Sequence, residues 1–183
     1  MLIMNQYGLE SDFPDGVMDC ARKQADLFDE SISDGRVDLT EEMIITIDPK
    51  DARDFDDAIS LKKIENGHWL LGVHIADVSH FVQPNTAIDD EAYNRGTSVY
   101  LPDRVVPMLP EIISNNLASL QPEKLRYAMS AFIEFTADGA RVGTEVKRTA
   151  IKSKRRFSYE EVDDFLERPI AWRRKINNET FEL

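Results

Sequence analysis

The hydrophobic positions along the first half of the chain change period several times, and each change predicts a different element. Between Asp15 and Glu30 the apolar residues recur at helical spacing, which predicts an amphipathic helix. Residues 43–47, with the sequence MIITI, form a β-branched run typical of a buried strand. Residues 57–64 and 68–76 are two further strand-like runs separated by the turn sequence ENG, so they predict a β-hairpin.

The second half of the chain predicts one helix, two strands and a helix start. A helix is expected from Asp89 to Gly96, because glycine commonly ends helices. Strands are expected at Tyr127–Phe135 and Gly143–Arg156, with a short turn between them. Ser158 and Glu161 have the spacing of a capping box. Together with the first half, these elements predict an α+β (mixed α/β) fold whose mainly antiparallel sheet is flanked by helices.

The composition is that of an ordinary globular protein and argues against a membrane or secreted protein. Of the 183 residues, 42% are hydrophobic. No apolar run approaches the ~20 residues that span a bilayer, so no membrane partner is expected. The N-terminus has no secretory pattern. Cys20 is the only cysteine, which excludes an internal disulfide and fits a reducing compartment. We therefore expect a cytoplasmic protein.

Negative charge is concentrated at one end of the chain. The net charge is −12, and residues 1–60 contain 16 acidic but only 5 basic residues. An acidic chain taken as a whole is unfavourable for non-specific nucleic-acid binding. That argument is weaker for the remaining residues, because the acidic excess is confined to the first 60 and a basic run follows at 146–156.

Five aspartates fall within ten positions between two predicted strands, in the sequence TIDPKDARDFDDAIS. They are Asp48, Asp51, Asp54, Asp56 and Asp57. A solvated loop is the ordinary structure for such a stretch. Here the flanking strands anchor both ends, so the carboxylates cannot move apart to reduce their repulsion. A bound divalent cation would reduce it, and oxygen ligands select Mg²⁺, Mn²⁺ or Ca²⁺.

Two known kinds of acidic site do not fit the spacing. An EF-hand that began at Asp54 would need an acidic or amide residue and then glycine where Ala58 and Ile59 stand. An aspartyl-phosphate hydrolase would need an acid two residues after Asp48, where Lys50 stands. The spacing instead favours one or two Mg²⁺ ions that bind a phosphodiester and activate water.

The acidic sequence closely resembles the signature of the ribonuclease II/ribonuclease R (RNB) exoribonuclease family. The resemblance continues through GVHIADVSHFVQPNTAIDDEAYNRGTSVYLPDRVVPMLPEIISNNLASL to RRFSYEEVDDFL and covers roughly Phe13 to Leu166. It implies that residues 1–40 are a linker and N-terminal helix, and that residues 41–183 are the first half of the RNB catalytic domain. It also implies a Mg²⁺-dependent 3′→5′ exoribonuclease, with Mn²⁺ able to substitute, that hydrolyses single-stranded RNA to nucleoside 5′-monophosphates.

The same resemblance implies roles for four of the aspartates, which together form the expected catalytic and metal site. Asp48 and Asp57 match direct Mg²⁺ ligands. Asp54 matches a supporting acid of the metal site, and Asp56 matches the acid most closely tied to catalysis. Asp51 occupies a position where the family does not require an acid, so we expect it to be a solvated turn carboxylate.

Two further features are candidates for RNA contacts. Tyr100 matches the family's aromatic residue that packs on the bases at the 3′ end, and a tyrosine face offers ~1–3 kcal/mol of base stacking. Without the resemblance, a core or strand-edge position would be the more common one for such a tyrosine. If residues 147–156 are extended, their cations fall on one face and either track phosphates or form an ordinary charged surface. These cations are Arg148, Lys152, Lys154 and Arg156.

The chain differs from the family pattern because several of the family's expected segments are absent from it. The family's catalytic domain is longer, and its second half brings an arginine in a block of the type TSPIRRY, a further acid and a second aromatic residue. That block is absent here, as are the OB-type cold-shock and S1 modules that capture RNA. We therefore expect a partial catalytic domain that is inactive or nearly so alone, because losing one electrostatic donor already costs ~10²–10³ in rate. The alternative is a non-catalytic RNA-binding or regulatory RNB-like domain.

Overall fold

The computed structural model describes Met4, residues 6–173, Lys175 and Ile176. The helices and strands, in chain order, are α1 (Asp15–Leu27), β1 (Val37–Leu39), β2 (Ile45–Asp48), β3 (Asp57–Lys63), β4 (Trp69–Ala76), α2 (Val78–Phe81), α3 (Ala87–Arg95), β5 (Val99–Tyr100), β6 (Val105–Val106), a π-helical turn (Ile113–Leu117), β7 (Leu125–Phe135), β8 (Arg141–Lys152), β9 (Arg155–Ser158), α4 (Tyr159–Glu167) and α5 (Pro169–Trp172). They fall into two compact units. We call these the helical unit, residues 1–29 and 78–117, and the sheet unit, residues 30–77 and 118–183.

The helical unit contains α1 to α3, the π-helical turn and the β5–β6 hairpin. The helix predicted from Asp15 is confirmed as α1, which ends at Leu27 and packs against α3. The helix predicted from Asp89 is confirmed as α3, but it begins two residues earlier. It does so because Thr86 caps it, its hydroxyl accepting a hydrogen bond from the amide of Asp89 at 3.4 Å. The helix ends at Gly96, whose φ of 72° lies in the left-handed region that favours glycine.

The sheet unit is built on a seven-stranded sheet among the described residues, in the order β1-β8-β7-β4-β3-β2-β9. The β1–β8 and β2–β9 pairs are parallel, and the other four pairs are antiparallel. Both predicted hairpins are confirmed, as β3–β4 and β7–β8. The predicted fold class, mixed α/β with a mainly antiparallel sheet and flanking helices, is therefore confirmed.

The strand predicted from Gly143 to Arg156 is wrong in one respect, because it consists of two strands, β8 and β9. These strands are five positions apart in the sheet order, which would be ~24 Å in a flat sheet. Only Ser153 and Lys154 connect them, and a link of that length spans at most ~11 Å. The sheet must therefore curl until β8 and β9 approach each other. The amide of Lys154 donates to the carbonyl of Ile44 at 2.8 Å, which joins the link to the start of β2.

Helices α4 and α5 pack beside β9 and fix it in the sheet. The predicted capping box is confirmed, since the amide of Glu161 donates to Ser158 Oγ at 3.2 Å and the amide of Ser158 donates to Glu161 Oε2 at 2.9 Å. Below the cap, Phe157 and Trp172 share a buried cluster with Ile45 of β2. The curled sheet and its helices thus hold the C-terminal end of β2 beside β9.

A buried row of polar side chains crosses the middle of the sheet. His74 Nε2 lies 3.0 Å from Ser60 Oγ, and His74 Nδ1 lies 2.7 Å from Ser130 Oγ. Ser130 Oγ lies 2.6 Å from Thr149 Oγ1, so the row links β3, β4, β7 and β8. Burial lowers the pKa of His74 to about 4, an effect that attraction from Glu42 only partly opposes. The imidazole is therefore neutral at pH 7. It forms hydrogen bonds with Ser60 and Ser130 without carrying a charge.

Two sequence-based expectations concern the extent of the chain. The division expected at residue 40 stays a prediction, and residues 174 and 177–183 of the expected catalytic segment lie outside the described residues. Within the described part of the chain, every helix is too short or too polar to cross a membrane.

Candidate active site

The predicted acidic site lies where β2 leads into β3 in the sheet unit, and we call residues 48–57 the acidic loop. Asp48 is the last residue of β2, and Asp57 is the first residue of β3, which pairs antiparallel with β2. Asp48 is buried, Asp54 is half-buried, and Asp56 and Asp57 are exposed. Two neighbouring strands therefore fix both ends of the short segment that carries all four predicted residues.

The four carboxylates are close enough to repel one another. Burial is the main cause that raises the pKa of Asp48, followed by repulsion from Asp57, with Asp54 adding a smaller effect. The hydroxyl of Thr46 and, to a smaller extent, the guanidinium of Arg156 oppose that rise. Although Asp56 reaches solvent, partial burial raises its pKa as well, and repulsion from Asp54 and Asp57 adds to the rise. The structure thus brings the four predicted acids into one electrostatic cluster.

Asp51 differs from the other four aspartates of the loop. Its side chain is exposed. It is not among the charges that raise the pKa of Asp48 or of Asp56. These features agree with a solvated turn carboxylate and make Asp51 a matched control for substitutions in the loop.

The middle of the acidic loop is held by Ser119 and Arg126, neither of which was predicted to be a site residue. Ser119 Oγ accepts a hydrogen bond from the amide of Phe55 at 3.1 Å and donates to the carbonyl of Arg53 at 2.9 Å. The buried guanidinium of Arg126 in turn donates from Nε to the carbonyl of Ser119 at 3.1 Å. Asp54 stands between Arg53 and Phe55, so its backbone is held from both sides.

Arg156 of β9 holds the start of the acidic loop. Its Nη2 donates to the carbonyls of Pro49 and Lys50 at 2.6 and 2.7 Å. Its guanidinium carbon lies 4.9 Å from the ring centroid of buried Phe55, a cation–π geometry. One side chain therefore contacts both the beginning and the middle of the loop.

The predicted row of cations between residues 147 and 156 is not one continuous surface, because the chain divides there into β8 and β9. Lys154 donates from Nζ to the carbonyl of Thr40 at 2.7 Å. Lys152 Nζ lies 3.6 Å from a carboxylate oxygen of Glu123. The contacts of Lys154 and Arg156 to backbone carbonyls favour a structural role for those two cations over phosphate tracking.

The acidic loop fits a hard divalent cation by its chemistry. Carboxylate oxygens are the ligands that Mg²⁺ and Mn²⁺ prefer. Asp48 Oδ2 is buried without a hydrogen-bond partner in the described residues, so it is open to a cation. Within the same residues, no three His, Cys, Asp or Glu side chains are grouped closely enough to hold a metal ion by themselves. The fit therefore rests on the donor set and on the open oxygen of Asp48.

Tyr100, the predicted RNA-stacking residue, belongs to the helical unit. It lies on β5 and pairs with Val105 of β6. Its side chain is 70% exposed, so it is not a core aromatic residue. Its face is accessible to a stacking partner, and its role in RNA binding stays a prediction.

Comparisons with known proteins agree on one family. The sequence profile described as "RNB domain" matches residues 36–180. Ribonuclease R of Thermotoga maritima is 55% identical over 137 residues, which are 75% of this chain and 19% of that protein. The structure of Mycoplasma genitalium RNase R in complex with ribose-methylated single-stranded RNA is 39% identical with a TM-score of 0.84, covering 91% of this chain and 26% of that one. Yeast Ssd1, a pseudonuclease, is 26% identical with a TM-score of 0.68, covering 76% of this chain and 17% of that one.

The chain thus spans about a sixth to a quarter of the length of these relatives. The profile match extends over both the acidic loop and the strands that anchor it. Motif order, sheet architecture and profile lead to the same result, and the chain belongs to the RNB domain family.

Proposed function

We propose that the protein carrying this chain is a 3′→5′ exoribonuclease that hydrolyses single-stranded RNA to nucleoside 5′-monophosphates with Mg²⁺. The observation that carries the proposal is the anchored acidic loop, in which four carboxylates repel one another. Similarity to ribonuclease R proteins supports the exoribonuclease activity. The Mycoplasma genitalium relative, solved with single-stranded RNA, supports that substrate. The single cysteine, Cys20, supports the cytoplasm as the location.

In this proposal the metal ligands are Asp48, Asp54, Asp56 and Asp57, and Mn²⁺ can take the place of Mg²⁺. When bound, the cation polarises the phosphodiester and makes water a better nucleophile. Its charge also favours the ionised carboxylates over the protonated forms that burial and repulsion promote. Binding therefore relieves the repulsion within the loop.

The residues of the chain contribute by holding these carboxylates in different surroundings. Asp48 is buried at the end of β2, so its carboxylate keeps one direction. The backbone of Asp54 is held by the contacts of Ser119 to its two neighbours. Asp56 is exposed, and its carbonyl accepts a hydrogen bond from the amide of Ala76 at 2.8 Å. Its backbone is thus fixed while its carboxylate stays accessible to a substrate and to water.

The exposed face of Tyr100 adds a binding contact that does not depend on base identity. Every base has a flat face, and stacking on a tyrosine is worth ~1–3 kcal/mol for each base. An enzyme that removes one nucleotide after another from varied RNA needs contacts of this kind. Tyr100 is therefore proposed to pack on a base near the 3′ end.

A non-catalytic RNA-binding or regulatory protein is the competing function. The similarity to yeast Ssd1, a pseudonuclease, means that the fold alone does not distinguish the two. The presence of Asp48, Asp54, Asp56 and Asp57 together supports the enzyme, since a protein without catalysis has no need to keep four repelling carboxylates in a fixed loop.

The test is degradation of a single-stranded RNA by the full-length protein, with a 5′-labelled sample resolved on a gel to follow shortening and a uniformly labelled sample resolved by thin-layer chromatography to identify the released nucleotides. With Mg²⁺ we expect shortening from the 3′ end and release of nucleoside 5′-monophosphates, both abolished by EDTA. Asp56→Asn should slow degradation by roughly 10²-fold or more. The matched control Asp51→Asn makes the same chemical change in the same loop and should retain the wild-type rate. RNA binding without degradation, or degradation unaffected by EDTA, would contradict the proposal.

A further inference from the structure

Three buried side-chain atoms of the described residues have no hydrogen-bond partner, and they lie on one pair of strands. They are Thr46 Oγ1, Asp48 Oδ2 and Arg156 Nε. Thr46 pairs in register with Arg156 between β2 and β9. Asp48 is two residues further along β2, so its side chain lies on the same face as that of Thr46. The half-buried guanidinium of Arg156 and the buried carboxylate of Asp48 thus stand together where the acidic loop begins.

The pairing of Arg156 and Asp48 is electrostatic. Arg156 lies close enough to favour the ionised form of the Asp48 carboxylate. Two opposite charges that are partly withdrawn from water attract each other more strongly than they would at the surface. The pairing of β2 with β9, rather than a hydrogen bond between the two side chains, keeps Arg156 near Asp48.

Nη2 of Arg156 is committed to the loop backbone. One nitrogen, Nη2, serves the carbonyls of both Pro49 and Lys50, which requires two N–H groups on a planar head. The guanidinium also faces the ring of Phe55. A lysine would keep the charge, but its compact ammonium does not reproduce the planar contact with the ring.

We propose that Arg156 is a positioning residue, which orders the acidic loop before a divalent cation arrives. It fixes the turn at Pro49 and Lys50, directly after the end of β2 that carries Asp48, and packs on Phe55 in the middle of the loop. The part that concerns the cation rests on the proposed function, whereas the ordering of the loop does not depend on it.

The ordering is tested by hydrogen exchange of the metal-free chain. The amide of Ala52 donates to the carbonyl of Pro49 at 3.0 Å and therefore reports on the turn. In Arg156→Gln we expect this amide to exchange about tenfold faster, while amides of the β3–β4 ladder keep their rates. The matched control is Arg155→Gln, which removes the same charge from the neighbouring residue of β9. Arg155 contacts the carbonyl of Lys175 and the ring of Phe157 instead of the loop, so Ala52 should be unaffected.

The effect on the cation is tested by titration with Mn²⁺ alone, followed by electron paramagnetic resonance. Removing a positive charge beside four carboxylates should tighten Mn²⁺ binding if Arg156 acts only through its charge. If Arg156 positions the ligands, both Arg156→Gln and Arg156→Lys should bind Mn²⁺ several-fold more weakly than the wild type. Arg155→Gln should bind as the wild type does. Circular dichroism of each variant shows whether it still folds. Arg156→Lys keeps the charge and is therefore the variant expected to disturb the fold less.

The outcomes separate this inference from the proposed function. Unchanged exchange at Ala52 in Arg156→Gln overturns the positioning role. Equal or tighter Mn²⁺ binding by that variant overturns the link between positioning and the cation, and leaves the proposed function intact. A wild type that binds no Mn²⁺ counts against the metal site itself, while the exchange at Ala52 still decides whether Arg156 orders the loop.

Discussion

The hydroxyl of Ser119 lies 3.1 Å from the backbone nitrogen of Phe55, a residue 64 positions earlier in the chain. Both groups are buried, and the same hydroxyl donates to the carbonyl of Arg53 at 2.9 Å. A single side chain therefore satisfies the backbone on both sides of Asp54. The precise orientation of a predicted metal-site residue depends on a serine that carries no charge and lies in no acidic motif.

Replacing Ser119 with alanine should destabilise the protein and loosen the acidic loop. The variant leaves the buried amide of Phe55 without an acceptor, which costs about 1–3 kcal/mol. Urea unfolding followed by circular dichroism measures this cost. Ser11→Ala, a change at an exposed serine, is the control and should stay within about 0.5 kcal/mol of the wild type. Equal stability of the two variants would contradict the importance of the Ser119 contact.

A methyl group at Gly72 should disrupt the buried polar row. A Cβ added there would overlap Ser60 Oγ and lie 2.8 Å from His74 Nε2, closer than such atoms approach. Gly72→Ala should therefore lower the free energy of unfolding by about 1–3 kcal/mol. Gly143→Ala is the matched control on β8, since nothing lies within 4 Å of its added Cβ. Chemical denaturation of both variants checks the prediction, and a neutral Gly72→Ala would show that the row can move aside.

Acid should weaken the sheet unit through His74. Its pKa is lowered by burial to about 4 in the folded protein, whereas an unfolded histidine titrates near ~6.5. Below the unfolded value the unfolded chain gains a proton that the folded chain does not accept. The stabilising contribution is therefore fully present above pH ~6.5 and is lost as the pH falls toward 4, on the order of 3 kcal/mol in all.

Two measurements check this pH dependence. A nuclear magnetic resonance titration of the His74 ring should show no protonation until well below pH 6. The free energy of unfolding should fall less between pH 7 and pH 4.5 in His74→Gln than in the wild type. A His74 ring that titrates near pH 6.5 in the folded protein would contradict the account of the buried row.

Tyr100 should contribute to RNA affinity through its exposed face. In the full-length protein, Tyr100→Ala should weaken binding of a single-stranded oligonucleotide by about tenfold, with little dependence on sequence. Tyr93→Ala is the matched control, because Tyr93 is an exposed tyrosine of the same unit, on α3. Fluorescence anisotropy measures both affinities. An equal loss in the two variants would mean that Tyr100 has no special position on the RNA path.

Elements whose signals are local could be predicted from the sequence. The helix that begins at Asp15 and the hairpin of residues 57–76 show their period within a few turns or strand residues, and both are present. The capping box of Ser158 and Glu161 depends on residues three apart and is also present. The break between β8 and β9 was missed, because both sides of Ser153 have strand-like sequences and only the sheet order separates them.

Some features of the candidate site could likewise be predicted from the sequence, and others could not. The carboxylates of the acidic loop are adjacent in sequence, so their mutual repulsion could be predicted from spacing alone. The contacts of Ser119 and Arg156 could not, since they join residues 64 and 107 positions apart. Arg156 belongs to a basic run in the sequence, and its neighbours there give no reason to expect that it binds the loop rather than phosphate.

The acid cluster, the strands that flank it and the family to which the chain belongs can all be recognised from the order of residues along the chain. These features rest on short-range patterns and on motifs whose order is written in the chain. The way the loop is held is visible only in the folded chain, because the curl of the sheet brings β9 beside β2 and packing brings Ser119 to Phe55. Such contacts depend on where distant segments meet after folding, and the chemistry of each residue alone does not specify its partner.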